Sequence, residues 1–191
     1  MDKKKICVLV SGGGTNLQRI IDAIESGEII NAEIIKVIAD RPCFALDRAQ
    51  KHGIEFSQLK RGKNFQRQLL ETVPQETDLI LLAGFLSILS EDICDRFQNR
   101  IINIHPALLP KFGGSGMWGH HVHQAVIDAK ETESGATVHY VTKGIDEGEI
   151  ILQKAVLLAE DETPNSLAQK VHAVEYEIYP KAINLALRGL K

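Results

Sequence analysis

Apolar residues in this chain come in short, largely β-branched runs that alternate with stretches whose apolar positions recur every three or four residues. ICVLV (6–10) has the length and make-up of a buried strand, and SGGGTN behind it reads as a turn. Leu17, Ile20, Ile21 and Ile24 then mark one face of a helix. EIIKVIAD (33–40) predicts a second strand, and Phe44 to His52 a helix stopped by Gly53. IEFSQL (54–59) is a weaker strand, followed by a helix through Phe65, Leu69 and Leu70 that ends before Pro74. DLILLA (78–83) is the strongest central strand; a short helix near 91–97 and the strand RIINIH follow. The order β-α-β-α-β-α-β predicts an α/β fold: an open, doubly wound, mostly parallel sheet with helices on both faces, of Rossmann-like type.

The second half is less regular. The glycine-rich loop KFGGSGMWG leads to a helix around 121–130, then to the strand SGATVHYVT (134–142), the turn GIDEGE and the strand IILQKAVLL (150–158). A last helix runs from about Thr163 to Leu187, with Thr163 as N-cap and Pro164 as first helical residue. No repeat, low-complexity tract or long linker interrupts the pattern, so 1–191 reads as one domain. Its nucleotide-binding half covers about 1–100, and its catalytic half about 101–191.

The glycines after the first strand invite a dinucleotide reading, but the fingerprint G-x-G-x-x-G fails: counted from Gly12, its third glycine position is Leu17. Asp40, acidic at the end of the second strand, keeps NAD open as an alternative. A single phosphate fits better. Gly12 to Asn16 lie where a strand meets a helix N-terminus, whose free amides and dipole favour an anion, and Thr15 and Asn16 add a hydroxyl and an amide. The bland alternative is a tight turn with a threonine cap.

The stretch NIHPALLP (103–110) carries the candidate chemistry. Asn103 and His105 are two apart on an extended backbone, so their side chains leave the same face, and Pro106 closes the strand behind them. Ligands of open parallel sheets bind beyond such carboxyl ends. In GIDEGE (144–149), Asp146 is placed to return to the imidazole, where a buried contact would raise the histidine's pKa and set its tautomer. A backbone-satisfied histidine is the plainer alternative. No protein nucleophile stands out: GGSGM (113–117) has Met117 where G-x-S-x-G needs glycine, and Cys7 belongs to a buried strand. His120, His121 and His123 in HHVH lack further ligands nearby for zinc, so no metal is expected. What remains is an amide donor, a tunable histidine and a carboxylate, suited to stabilising an oxyanion and moving protons between two bound substrates.

Composition narrows the class. A net charge of −3 with no basic block argues against a nucleic-acid partner. No apolar run approaches the roughly 20 residues needed to span a bilayer, so no membrane partner is expected. Three scattered cysteines, Cys7, Cys43 and Cys94, have neither disulfide nor metal spacing, which favours the cytoplasm.

SGGGTNLQ, LLAGFLSILS, NIHPALLPKF, SGATVHYV, IDEGEII and VEYEIYP, in this order over essentially the entire chain, resemble the folate-dependent formyltransferases, in particular the phosphoribosylglycinamide formyltransferase branch. The resemblance implies transfer of a formyl group from 10-formyltetrahydrofolate, the co-substrate, to the amine of 5-phosphoribosylglycinamide in purine biosynthesis. It implies Asn103, His105 and Asp146 as the catalytic trio, with protonated His105 and Asn103 facing the oxyanion. Gly13, Gly14, Thr15 and Asn16 would bind the nucleotide's phosphate, and His172 and Glu175 its ribose side. Leu86, Ser87, Ile88 and Leu89, with Thr142, Lys143, Gly144, Ile145 and Asp146, would enclose the folate, beside Asn103 and a basic residue, Lys63 or Arg61. Ser87 stands where many members carry arginine, and KFGGSGMWGHH is longer than the corresponding loop of some. Partners are then the two small molecules, with room left for a homodimer. Deformylase or another formyltransferase would need added modules that a chain running from its first strand to Lys191 does not carry. A non-catalytic nucleotide-binding module would leave the trio unexplained.

Overall fold

The computed structural model describes residues 2–190. Four βα steps and a fifth strand open the chain: β1 (Lys4–Val10), α1 (Thr15–Glu25), β2 (Ala32–Ala39), α2 (Ala45–Lys51), β3 (Phe56–Gln58), α3 (Phe65–Thr72), β4 (Leu79–Leu82), α4 (Glu91–Arg96) and β5 (Ile101–His105). After a long loop come α5 (His120–Asp128), the strands β6 (Glu133–Tyr140) and β7 (Ile150–Leu157), and the long helix α6 (Pro164–Gly189). They form one seven-stranded sheet in the order β3-β2-β1-β4-β5-β6-β7. β1 to β5 pair in parallel, whereas β6 and β7 add antiparallel, so the mostly parallel, doubly wound sheet expected from the pattern is the one formed.

The apolar runs of the central strands are continuous because both faces are covered. Ile6, Val8 and Val10 of β1 point into a core shared with α1, α2 and α6, and Cys7 and Leu9 into a second core with α3 and α4. Thr163 caps α6 as expected: its side chain accepts from the Ser166 N–H, and Ser166 reciprocates at the Thr163 N–H.

Chain direction through the sheet reverses at β1, with β2 and β3 on one side and β4 and β5 on the other. A crevice therefore opens beyond the carboxyl ends of β1 and β4, where their exit loops part. Two bonds tie these loops together: Ser11 N–H to the Gly84 carbonyl (3.1 Å) and Leu86 N–H to the Ser11 hydroxyl (2.8 Å).

Candidate active site

A cleft of about 520 Å³ follows this crevice. Its floor is the turn Gly12–Asn16, the segment 82–89 after β4, and the end of β5. Its far walls come from the 114–119 loop, the 141–146 turn and α6. Every expected site residue lines it except Lys63, which lies exposed before α3. Arg61 is nearer the cleft, but indirectly. Its guanidinium holds the buried Asp40 carboxylate (Nε 2.9 Å), to which Arg41 (3.1 Å) and the Ser87 hydroxyl (2.6 Å) also donate. Asp40 is thus consumed by protein partners and presents no oxygen for a ribose diol, which removes the NAD alternative.

At the glycine turn, Gly14 is the N-cap of α1 at φ +70°, with no side-chain cap. Thr15 is the first helical residue and not the cap, so the first N–H groups of the helix are left for a ligand. Asn16 is buried, donates to Glu175 Oε2 (3.1 Å), and its own side-chain carbonyl oxygen has no partner among the described residues. On the facing helix, His172 Nδ1 donates to the same Oε2 (3.1 Å). Both bonds fall on Oε2, leaving Oε1 for a ligand. Burial pushes the Glu175 carboxyl up to about 7, the Asn16 bond opposing only in part.

At the other end, Asn103 and His105 share one face of β5, as their spacing requires. His105 Nε2 donates to the Phe112 carbonyl (2.8 Å), so a neutral ring keeps its lone pair on Nδ1, 3.6 Å from Asp146 Oδ2. Asp146 also accepts from the Gly114 N–H (2.9 Å) and lies 3.5 Å from His139 Nε2. Both partners of His105 occupy left-handed backbone, Phe112 at φ 55° and Asp146 at φ 58°, a strain of the kind that functional loops store. Between them Gly113 packs closely: a Cβ there would stand 2.6 Å from Leu109 Cδ2, at the end of that side chain, and 3.2 Å from Asp146 Cβ, so one of the two would have to shift.

The charge balance corrects one expectation. Burial lowers the His105 pKa, and attraction to Asp146 and the bond to Phe112 do not make up the loss. The net shift is downward, so the imidazole rests neutral rather than protonated. Asp146 goes below the usual carboxylate range: burial pushes it up, but His139, His105 and the Gly114 N–H together outweigh it.

His139 escaped the sequence reading although it lies within SGATVHYV. It stands opposite Asn103 in the antiparallel β5–β6 register. Its Nδ1 donates to the Tyr140 carbonyl (2.9 Å), so Nε2 accepts from Asn103 Nδ2 (3.2 Å). That bond fixes which way the amide faces and leaves its second N–H for the cleft. The apolar rim is equally new: Phe85, Met117, Trp118 and Val141 join Leu86, Ile88 and Ile145 around the mouth. Of HHVH, only His123 lines the cleft. Among the described residues no group of three or more His, Cys, Asp or Glu is placed to hold a metal ion.

Comparison with known proteins adds the decisive observation. The model of the formyl transferase family matches residues 4–183. The chain belongs to the formyl transferase family. It is 38% identical to a phosphoribosylglycinamide formyltransferase of Haemophilus influenzae, over 97% of this chain and 88% of that protein. Among solved structures, glycinamide ribonucleotide transformylase 1 from Symbiobacterium toebii superposes with a TM-score of 0.90 at 36% identity, covering 98% of this chain and 89% of that one. The trifunctional purine biosynthetic protein adenosine-3 of Drosophila melanogaster is 36% identical over 98% of this formyl transferase chain, which spans only 14% of that relative's length.

Proposed function

We propose that this protein transfers the formyl group of 10-formyltetrahydrofolate to the amine of 5-phosphoribosylglycinamide, a step of purine biosynthesis. The observation that carries the reading is one cleft with two ends. At one, Asn103, His105 and Asp146 meet; at the other, the open N-terminus of α1 faces the buried Glu175. The first half of the chain, to about residue 100, supplies the phosphate turn. The second half supplies the transfer chemistry and much of the folate wall. The nucleotide's phosphate sits on the amides of Gly13, Gly14, Thr15 and Asn16, and its ribose hydroxyls donate to Glu175 beside His172. The flat pterin packs against Leu86, Ser87, Ile88 and Leu89 and against the turn from Thr142 through Lys143, Gly144 and Ile145. The basic residue of this subsite is Arg61, acting through Asp40 and Ser87, and not Lys63.

The resting state sets the mechanism. The amine attacks the formyl carbon, and the carbonyl oxygen gains negative charge. The free N–H of Asn103, aimed by His139, stabilises that oxygen, a role worth on the order of 3 kcal/mol per donor. Neutral His105 accepts the proton leaving the amine at Nδ1. The new N–H then lies against Asp146 Oδ2, converting a 3.6 Å contact into a charge-assisted bond. The imidazolium returns that proton to the departing folate nitrogen as the old C–N bond breaks. One N–C bond forms, one breaks, and one proton is handed on. No metal and no acyl-enzyme take part, and every group named lies on one chain, so the reaction needs no second copy. A cytoplasmic setting agrees with three unpaired cysteines and, among the described residues, with no helix long and apolar enough to cross a membrane.

The test is transfer of an isotopically labelled formyl group. Label in the ribonucleotide product, dependent on both substrates and lost in His105→Ala, is the expected result; wild-type protein that leaves the ribonucleotide unlabelled overturns the reading.

A further inference from the structure

Of the three histidines that open α5, His120 and His121 are exposed, whereas His123 is 3% exposed. Its Nδ1 is sealed from solvent and meets no hydrogen-bond partner among the described residues, yet the residue lines the cleft. Nε2 is therefore the edge of the ring that reaches the cavity. The ring lines the cleft that joins the two ends of the site, and His172 on the nucleotide side, His120 on its own helix and His105 on the transfer side are all close enough to disfavour its protonation. Burial adds the larger share, and the pKa falls to about 4, so the ring is neutral at any working pH. A neutral ring carries one proton. On Nδ1 it would be a buried donor with no acceptor, the rarer kind of orphan; on Nε2 it points into the cleft. His123 thus offers a donor to a ligand at the middle of the site.

We infer that His123 donates its Nε2–H to the carbonyl oxygen of the carboxamide that joins sugar to amine, and so selects an acceptor built as an N-ribosyl amide. This rests on the function proposed above. There the phosphate belongs to the glycine turn, the ribose hydroxyls to Glu175 and the developing oxyanion to Asn103. Of the acceptors left, the ring oxygen and the carboxamide oxygen, the carboxamide oxygen is the stronger and the nearer to the amine. Holding it fixes rotation of the short glycyl arm and delivers the amine to the formyl carbon.

Ribose 5-phosphate shares the phosphate and sugar of the ribonucleotide and lacks the amide, so it separates this contact from the rest of the site. In His123→Ala, calorimetry should show the dissociation constant of 5-phosphoribosylglycinamide rising about tenfold, the loss of one neutral hydrogen bond. That of ribose 5-phosphate should stay within about twofold, a change too small to represent a hydrogen bond. His123→Gln, which keeps a donor, should recover most of the affinity. If His123→Ala does not fold, His123→Phe, which fills the volume without a donor, must show the same selective loss. Equal losses for both ligands, or no loss for either, overturn the assignment. Wild-type protein that binds ribose 5-phosphate but not the glycinamide ribonucleotide overturns the proposed function itself.

Discussion

Asp146 sits between two imidazoles and a main-chain N–H, and its charge is the larger of the two attractions that oppose burial at His105, ahead of the bond to the Phe112 carbonyl. Asp146→Asn removes that attraction, so the His105 pKa drops further. The acidic limb of the kcat/KM profile should move to lower pH, while kcat falls roughly 10²- to 10⁴-fold because the imidazolium intermediate loses its counter-charge. Affinity for the ribonucleotide, which the proposed function places at the other end of the cleft, should be unchanged by calorimetry. An acidic limb that moves up would show that another group sets it. Glu175 makes the opposite demonstration. Its folded pKa of about 7 lies above the ordinary carboxyl value, so the folded state holds a proton that the unfolded chain has released. Stability from this group is complete below about pH 4 and declines as pH rises toward 7, in total by about 3 kcal/mol. Glu175→Gln should therefore be more stable than wild type at pH 8 in thermal melts, yet bind the ribonucleotide more weakly. At this scale the sequence showed which side chains share a face, since Asn103 and His105 follow from a period of two. It did not show that His139 stands opposite Asn103, because a strand's register against its neighbour is settled by the whole sheet. Nor did it show that burial outweighs Asp146 at His105, a balance that depends on what covers the ring.

Periodicity and caps placed the elements closely, from the α1 stripe at Leu17, Ile20, Ile21 and Ile24 to the Thr163 cap of α6. Turns were read correctly as turns, but the reason for each glycine was not legible. The sequence suggested that Gly14 keeps the backbone bare for an anion. In the fold its Cβ position points at α2, 2.6 Å from Ala45 Cβ and 2.8 Å from Ala45 Cα, in left-handed backbone. Gly13 has nothing within 4 Å of its Cβ position and no unusual φ. The two should separate cleanly. Gly14→Val should lower the melting temperature by several degrees, through strain and collision with α2. Gly13→Val should melt like wild type while KM for the ribonucleotide rises, since its side chain would crowd the phosphate turn. A destabilised Gly13→Val with unchanged KM would reverse these roles. The 111–119 loop resisted reading for a related cause: four glycines, three of them at positive φ, carry no periodic signal, so only the folded loop shows Phe112, Gly113 and Gly114 bracketing His105 and Asp146.

The sheet order places the cleft where β1 and β4 part, and the chain then surrounds its mouth with exposed apolar side chains, Leu86, Ile88, Trp118 and Ile145. Large apolar groups left exposed around a polar centre suit the wall of a site that a flat ligand completes, as the proposed function requires. With a pterin seated there, bulk water would be displaced from Asn103 and His105, and the formyl carbon would meet only a nucleophile delivered from the nucleotide end. Two consequences belong to the molecule as a whole. Without the ribonucleotide, release of tetrahydrofolate from 10-formyltetrahydrofolate should be slower than full transfer by at least about 10²-fold, the advantage of a positioned amine over stray water. Exhaustive chelation should leave transfer undiminished, because in the proposed mechanism Asn103 and His105 provide the donor for the oxyanion and the carrier for the proton. Both are read in one spectrophotometric assay of tetrahydrofolate formation, run with and without ribonucleotide and with and without chelator. Hydrolysis as fast as transfer would make the protein a deformylase in practice. Activity abolished by chelator and restored by zinc alone would move the chemistry to a metal.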